Sequence, residues 1–442
     1  MAKCLRAGVG ELAITPPFDC ELSGFVARRA RCRGVHDPLY AKALVLADGV
    51  KKLALVSADL IGIDQGILAR VREKVSLLMD TDFCSILLSA THTHSGPAVL
   101  EDAFLGQTDS GYVEGLVNNL AGAVYLANKD LEPVRLFVGD GDCSLVGKNR
   151  RKKDGPTDSQ VLVVRLEADK GTKAILVNYA CHPVVLGPDN LLVTSDYPFY
   201  LRASLNNSYP GAQVMFFNGA TGDVNVGHNT QDSIKGGKHG HRTFTEAARL
   251  GEMLAREALQ ASETAQWKDS TDILYKHQRM CLSLEEVPTA DSYLEEAEAF
   301  RAIGAKLRNS GASFGEVNQA EVWTSWAEQM GRLQLAGEIE AGREVEIAVF
   351  SLGDLEFVTL PGEFFHEFAL EIKRARAPRR VFVLGYTNDA VGYVVPERVY
   401  DEGGYEVNDS FRYYGLPSRL VRGTGEQVTR TLIEMLENIG YA

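Results

Sequence analysis

The chain has 442 residues, 45% hydrophobic and 24% charged, the balance of a globular protein with a sizeable core rather than a disordered one. A formal net charge of -13 argues against a nucleic-acid surface or one drawn to anionic membranes. Seven cysteines, odd in number and without a CxxC pair, fit neither a disulfide framework nor a structural zinc site, and no apolar run reaches the roughly 20 residues of a membrane span. The opening Met-Ala-Lys-Cys-Leu-Arg-Ala-Gly lacks the apolar region of a secretory signal, so a cytoplasmic location is expected.

Short apolar strands alternate with helical patterns along the first half. Residues 53–58 read as a strand, 66–78 as a helix, 84–89 as a strand and 113–126 as a helix. Strands follow at 160–166, 174–180 and 214–217, the last running into the turn-rich Asn218-Gly219-Ala220-Thr221-Gly222-Asp223, and then a helix at 245–259. From about 285 to 340 the chain turns rich in Ala, Glu, Leu, Gln and Arg and predicts two amphipathic helices broken near Asn309-Ser310-Gly311. A hairpin is expected where 346–351 and 356–360 flank Leu352-Gly353-Asp354, then a strand at 381–385 and a closing helix at 424–436. The alternation predicts an α/β fold, a mixed central sheet flanked by helices, with the helical pair as an insertion. Without repeats or linkers, residues 1–442 read as a single domain.

The most specific motif is Leu88-Ser89-Ala90-Thr91-His92-Thr93-His94-Ser95-Gly96-Pro97, an apolar strand running into two histidines and a turn. If the strand continues, alternation of side chains points His92 and His94 the same way. Such a pair suits metal binding or proton transfer, and it equally describes two solvated histidines at a strand end. Similar junctions recur. His182, before Pro183, ends a strand; Ser195 or Asp196 opens a helix; Glu363 follows Pro361-Gly362; Tyr393 and Tyr405 lie in glycine-bounded loops. Singly these read as core histidine, helix cap or packing tyrosine. Together their nitrogen and oxygen donors suit a catalytic zinc site.

These residues, in order, resemble the catalytic domain of the neutral ceramidases, zinc-dependent amidases that cleave the N-acyl bond of ceramide. The match runs through Ala7-Gly8-Val9-Gly10, Gly34-Val35-His36-Asp37-Pro38, the Thr91–Pro97 motif, His182, Ser195-Asp196, Gly222-Asp223-Val224, Pro361-Gly362-Glu363 and Gly392-Tyr393-Val394. The resemblance implies His92, His182, Glu363 and Tyr393 as zinc ligands and His94 as the acid/base histidine. It also implies Tyr405 as donor to a developing oxyanion and Arg150 as a substrate-site arginine. The family motif Gly-Asp-Val-Ser-Pro-Asn reads Gly222-Asp223-Val224-Asn225-Val226 here, so Asn225 replaces a catalytic-site serine. An amide donates a hydrogen bond but is no nucleophile, which leaves Asn225 as a second oxyanion donor. The chain also stops where the family's immunoglobulin-like domain would begin.

The expected activity is hydrolysis of an amide bond by metal-activated water, on a small, soluble substrate that is N-acylated or lipid-like. An esterase or lactonase, or a catalytically silent binding homologue, are the competing readings. Asp196 is expected to hold the tautomer of a ligand histidine. The basic runs Arg28-Arg29-Ala30-Arg31-Cys32-Arg33 and Arg150-Arg151-Lys152-Lys153 read as solvated faces, Arg150 having the better claim to a substrate role. His366 and Glu367 are expected near the surface, and Cys181 as a small buried residue rather than a nucleophile. The loop Lys235-Gly236-Gly237-Lys238-His239-Gly240-His241 reads as a solvated flank of the pocket or a second metal site.

Overall fold

The computed structural model describes residues 4–17, 19–79, 86–101, 103–104, 106–236, 241–268 and 272–440. The predicted elements form within a few residues of their expected limits: Lys52–Ala58, Gln65–Leu78, Ser110–Lys129, Gln160–Ala168, Gly171–Tyr179, Gln213–Asn218 and Phe244–Glu263. The start of the strand expected at 84–89 lies outside the described residues, and the rest forms Ile86–Ala90. Side-chain caps set the helix starts, Asp64 accepting from Ile67 N and Asp109 from Tyr112 N. The predicted hairpin pairs Leu352 with Leu355 across Gly353, whose φ of 62° favours glycine.

The fold is the expected mixed α/β arrangement of sheet flanked by helices, and among the described residues the β-structure divides into two five-stranded sheets, one four-stranded sheet and three two-stranded ladders rather than one continuous sheet. The division follows from the ends: each large sheet finishes in a parallel pair, Lys52–Ala58 with Ile86–Ala90, Gly171–Tyr179 with Gln213–Asn218, and Leu355–Thr359 with Arg380–Leu384. The three edge strands meet one another instead of merging. Ala90 N donates to Tyr386 O at 3.0 Å, Gly385 N to Asn218 O at 2.9 Å, and Asn388 N to Leu88 O at 2.9 Å. Mutual covering removes three exposed edges.

The inner faces share one core, in which Leu44, Leu55 and Leu87 of the first sheet meet Leu162, Leu176 and Phe217 of the second and Phe350, Phe357 and Phe382 of the third. Helices cover the outer faces. Ser110–Lys129 lies close against the strand Arg6–Ala13, because a Cβ on Gly8 or Gly10 would stand 2.0 or 2.2 Å from the carbonyls of Ala127 and Ala123. Helices Tyr197–Ser208 and Phe244–Glu263 pack on the second sheet, and His366–Arg376 and Thr424–Glu437 on the third. The expected helical insertion is the pair Ala290–Asn309 and Phe314–Ala336, with Trp326 and Tyr293 anchored to the carbonyls of Leu416 and Pro417. No helix among the described residues is long and apolar enough to cross a membrane.

Candidate metal centre and its cleft

The parallel pairs carry their C-terminal ends to one place, where chemistry in α/β proteins usually gathers. His92 lies two residues past Ile86–Ala90, His182 three past Gly171–Tyr179, Glu363 four past Leu355–Thr359, and Tyr386 two past Arg380–Leu384. His92 and His94 converge for a different reason than strand alternation. The strand ends at Ala90, and His92 takes a left-handed φ of 67°, unusual for a residue with a Cβ and a strain of order 1 kcal/mol. Its backbone N–H bonds Leu60 O at 2.9 Å, which holds that turn.

All three histidines are oriented alike. The Nδ1 atoms of His92, His94 and His182 face the carbonyls of Ile61, Gly24 and Val224 at 2.6, 3.1 and 3.0 Å. Those contacts fix the Nδ1–H tautomer and turn three Nε2 lone pairs inward. The three ligand atoms lie within 4.8 Å of one another, with His92 Nε2 and His94 Nε2 3.2 Å apart. Glu363 closes the group, its Oε2 2.8 Å from His182 Nε2 and 3.5 Å from His92 Nε2. Gly222 makes this approach possible, since a Cβ there would sit 2.4 Å from the Glu363 carbonyl.

Burial, then the neighbouring imidazoles, push the His94 ring well below the usual histidine range, and burial also lowers His182. Burial opposes the Glu363 charge, but His92 and His182 outweigh it and hold the carboxyl well below its usual range. Facing lone pairs beside a carboxylate repel one another unless a cation lies between them. Neutral imidazole nitrogens with one carboxylate oxygen are a zinc-type donor set. The residues therefore fit the metal.

Around this group the structure places partners that the sequence motifs did not single out. The Tyr414 hydroxyl donates to Glu363 Oε1, while Tyr386 stacks on His92 with ring centroids 4.0 Å apart and its hydroxyl meets Thr221. Tyr386 follows a predicted strand, the same junction signal that marked the histidines; Tyr414 had no such signal. Glu363 caps no helix, because His366–Arg376 starts later, with Phe365 at the N-cap position and no side-chain cap. Tyr393 sits opposite Glu363 in a short parallel ladder. Its ring lies beneath the Arg150 guanidinium at 5.1 Å and 5.7 Å from the Tyr405 ring. Burial raises both phenols well above the usual tyrosine range. Arg150 is fixed by Glu406, its Nε donating to Oε1 at 2.9 Å, while Arg151 donates to Oε2 of the same carboxylate at 2.5 Å.

Asn225 lines the cleft, but its side chain is engaged in its own turn. Nδ2 donates to His228 O at 2.6 Å and Oδ1 accepts from Gly227 N and His228 N, leaving one amide N–H. Asp196 holds no ligand histidine. It caps Tyr197–Ser208 and accepts from Val185 and Leu186 in the loop after His182, whose Nδ1 faces Val224 O instead. His366 is buried, 1% exposed, with Nδ1 2.8 Å from Asp223 Oδ2, because the helix it begins turns inward onto the Asp223 turn. Burial raises the Cys181 thiol well above the usual range. In the 235–241 loop, 237–240 lie outside the described residues, and His241 stacks on His228 at 5.6 Å.

His94, His182, Arg150, Asn225, Tyr393 and Tyr405 all open onto one cleft of about 440 Å³. Asn318 and Val322 of the helical pair form part of its wall, and Asn318 Nδ2 bonds Val26 O at 2.8 Å. Arg28 is buried in the facing wall, contrary to its reading as part of a solvated run. Four backbone carbonyls bind it, among them His94 O at 2.8 Å.

Converging imidazoles and a carboxylate at parallel strand ends, open to a cleft, define an α/β protein with a candidate metal centre. Residues 5–209 match the family model described as neutral/alkaline non-lysosomal ceramidase, N-terminal. The neutral ceramidase of Pseudomonas aeruginosa is 28% identical over 158 residues, 33% of this chain and 23% of that protein. The neutral ceramidase of Drosophila pseudoobscura pseudoobscura is 26% identical over 229 residues, 46% of this chain and 32% of its own. The matched stretches thus span a third or less of those relatives. A solved structure described as ceramidase complexed with C2 superposes with a TM-score of 0.75 at 16% identity, covering 99% of this chain and 75% of that one. The neutral ceramidase from Pseudomonas aeruginosa does so with a TM-score of 0.73. The chain thus resembles the neutral ceramidases in sequence over part of its length and shares their fold.

Proposed function

We propose that the chain is a zinc-dependent hydrolase of an amide, N-acyl bond. The observation that carries this reading is the trio of inward-facing Nε2 atoms beside the Glu363 carboxylate, at the floor of a cleft large enough for a small substrate. His92, His182 and Glu363, all nearly fully buried, would hold the metal, with Tyr393 across the ladder from Glu363. Zinc, when bound, supplies a Lewis acid that polarises a carbonyl and acidifies water.

The chain's own groups supply the rest. His94 is the least buried of the three imidazoles and lines the cleft, so its Nε2 is placed to take a proton and return it to a leaving amine. Tyr405 and Asn225 both line the cleft, where the Tyr405 hydroxyl and the remaining amide N–H of Asn225 would serve as donors to the carbonyl oxygen. Arg150, paired with Glu406 and packed over the Tyr393 ring, lines the cleft as a substrate-site arginine.

Elemental analysis and turnover on wild type, His182→Ala and His94→Ala test this together. The expected result is about one zinc per chain in wild type, its loss in His182→Ala, and its retention in His94→Ala with turnover reduced about 10²–10⁴-fold. Loss of zinc from His94→Ala would make His94 a ligand. Wild-type protein that takes up no zinc overturns the reading.

A further inference from the structure

The cleft is positive in a negative protein. The chain carries 59 acidic against 46 basic side chains, yet the wall from Glu21 to Arg31 presents Arg28, Arg29 and Arg31 to the cleft. Arg31 is offset by Asp19 at 3.4 Å. Arg29 is exposed, with its guanidinium 5.3 Å over the Phe314 ring, and it forms no ion pair among the described residues.

Arg28 is the unusual one. It is nine-tenths buried, and its contacts are to uncharged carbonyls: Nε to Asn190, Nη1 to Leu22 and Ser23, Nη2 to His94. Four of five N–H groups are thereby used, and no carboxylate lies within ion-pair distance among the described residues. Burial pulls the guanidinium down to about 9, Asp189 acting against this only from a distance. A buried cation without a counter-ion is destabilising, and an anion arriving in the cleft would relieve it. Low-dielectric walls also focus such a field onto an incoming ligand.

We propose that the substrate is itself an anion, an N-acyl compound whose amine half carries a carboxylate or phosphate that pairs with Arg28 and Arg29. This rests on the hydrolase reading above and narrows its substrate class. An uncharged amino-alcohol head group would leave the Arg28 charge unmatched.

The test uses three amides with one acyl chain: N-acylglycine, N-acylethanolamine phosphate and neutral N-acylethanolamine. The zinc-loaded enzyme should prefer at least one anionic amide by tenfold or more in kcat/KM, and the better of the two names the group. Arg29→Ser should collapse that preference chiefly through KM, and Arg29→Lys should restore most of it; a merely structural role would not follow the charge. Calorimetric binding of the same compounds to His94→Ala gives a readout independent of turnover. Neutral amide cleaved as well as either anion overturns the proposal while the hydrolase stands. If no amide is cleaved, the hydrolase reading fails, and binding decides: anion affinity that depends on Arg29 keeps the anion site, and equal binding of neutral and charged compounds removes it.

Discussion

Asn178→Ala probes the joint on which the proposed metal centre depends. Asn178 is 3% exposed and stitches the second sheet to the third, its Nδ2 donating to Phe217 O at 2.9 Å and Val383 O at 2.8 Å. Its Oδ1 accepts from Val383 N at 3.1 Å. Three buried hydrogen bonds contribute about 1 kcal/mol each, and stranding the Val383 N–H in a dry joint adds about 2 kcal/mol more, so the substitution should cost about 5 kcal/mol. That is comparable with the whole margin of many domains. Ser57→Ala is the internal control, removing the single bond from Ser57 Oγ to Phe216 O at 2.6 Å and expected to cost about 1 kcal/mol. Urea titration of wild type and both variants, with chelator present to exclude metal linkage, reads the difference. His182 follows the Asn178 strand, and Glu363 and Tyr386 follow strands of the third sheet, so zinc affinity should fall about 10–100-fold in the folded fraction. A cost no greater than that of Ser57→Ala would refute the joint as a support of the site.

Tyr414→Phe keeps the ring and removes the hydroxyl on Glu363, so zinc affinity should fall about tenfold by competition with a chelating indicator, with little change in unfolding midpoint. Burial raises the Asp196 carboxyl from 3.8 to about 6 despite N–H donors from Leu186, Tyr197 and Val185. Between about pH 4 and pH 6 the unfolded chain has released a proton that the folded chain keeps, so this group's stabilisation is present below that window and lost as pH rises through it, by up to about 3 kcal/mol. Denaturant titrations across that range should show the component in wild type and not in Asp196→Asn; parallel curves for the two would refute it.

Local pattern was enough for the elements. The capped helix Gln65–Leu78, the glycine hairpin at Gly353 and the helical pair broken near Gly311 all follow from periodicity, caps and turn residues within a few positions of one another. The histidines, Glu363 and the tyrosines were legible for the same reason, because polar residues at strand ends are a short-range signal. What they touch is not short-range.

Only the tertiary structure brought residues 92, 182, 363 and 414 together, through three sheets meeting at their edges. It set His92 in a left-handed turn, gave Tyr414 rather than a motif residue the hydroxyl on Glu363, and turned His366 onto Asp223. It likewise buried Arg28, which composition alone assigns to solvent, because the carbonyls that bind it come from Leu22, Ser23, His94 and Asn190. Periodicity records which face of an element is apolar. Which donors, acceptors and charges meet across that face depends on how distant segments pack, and that is not written in any one segment.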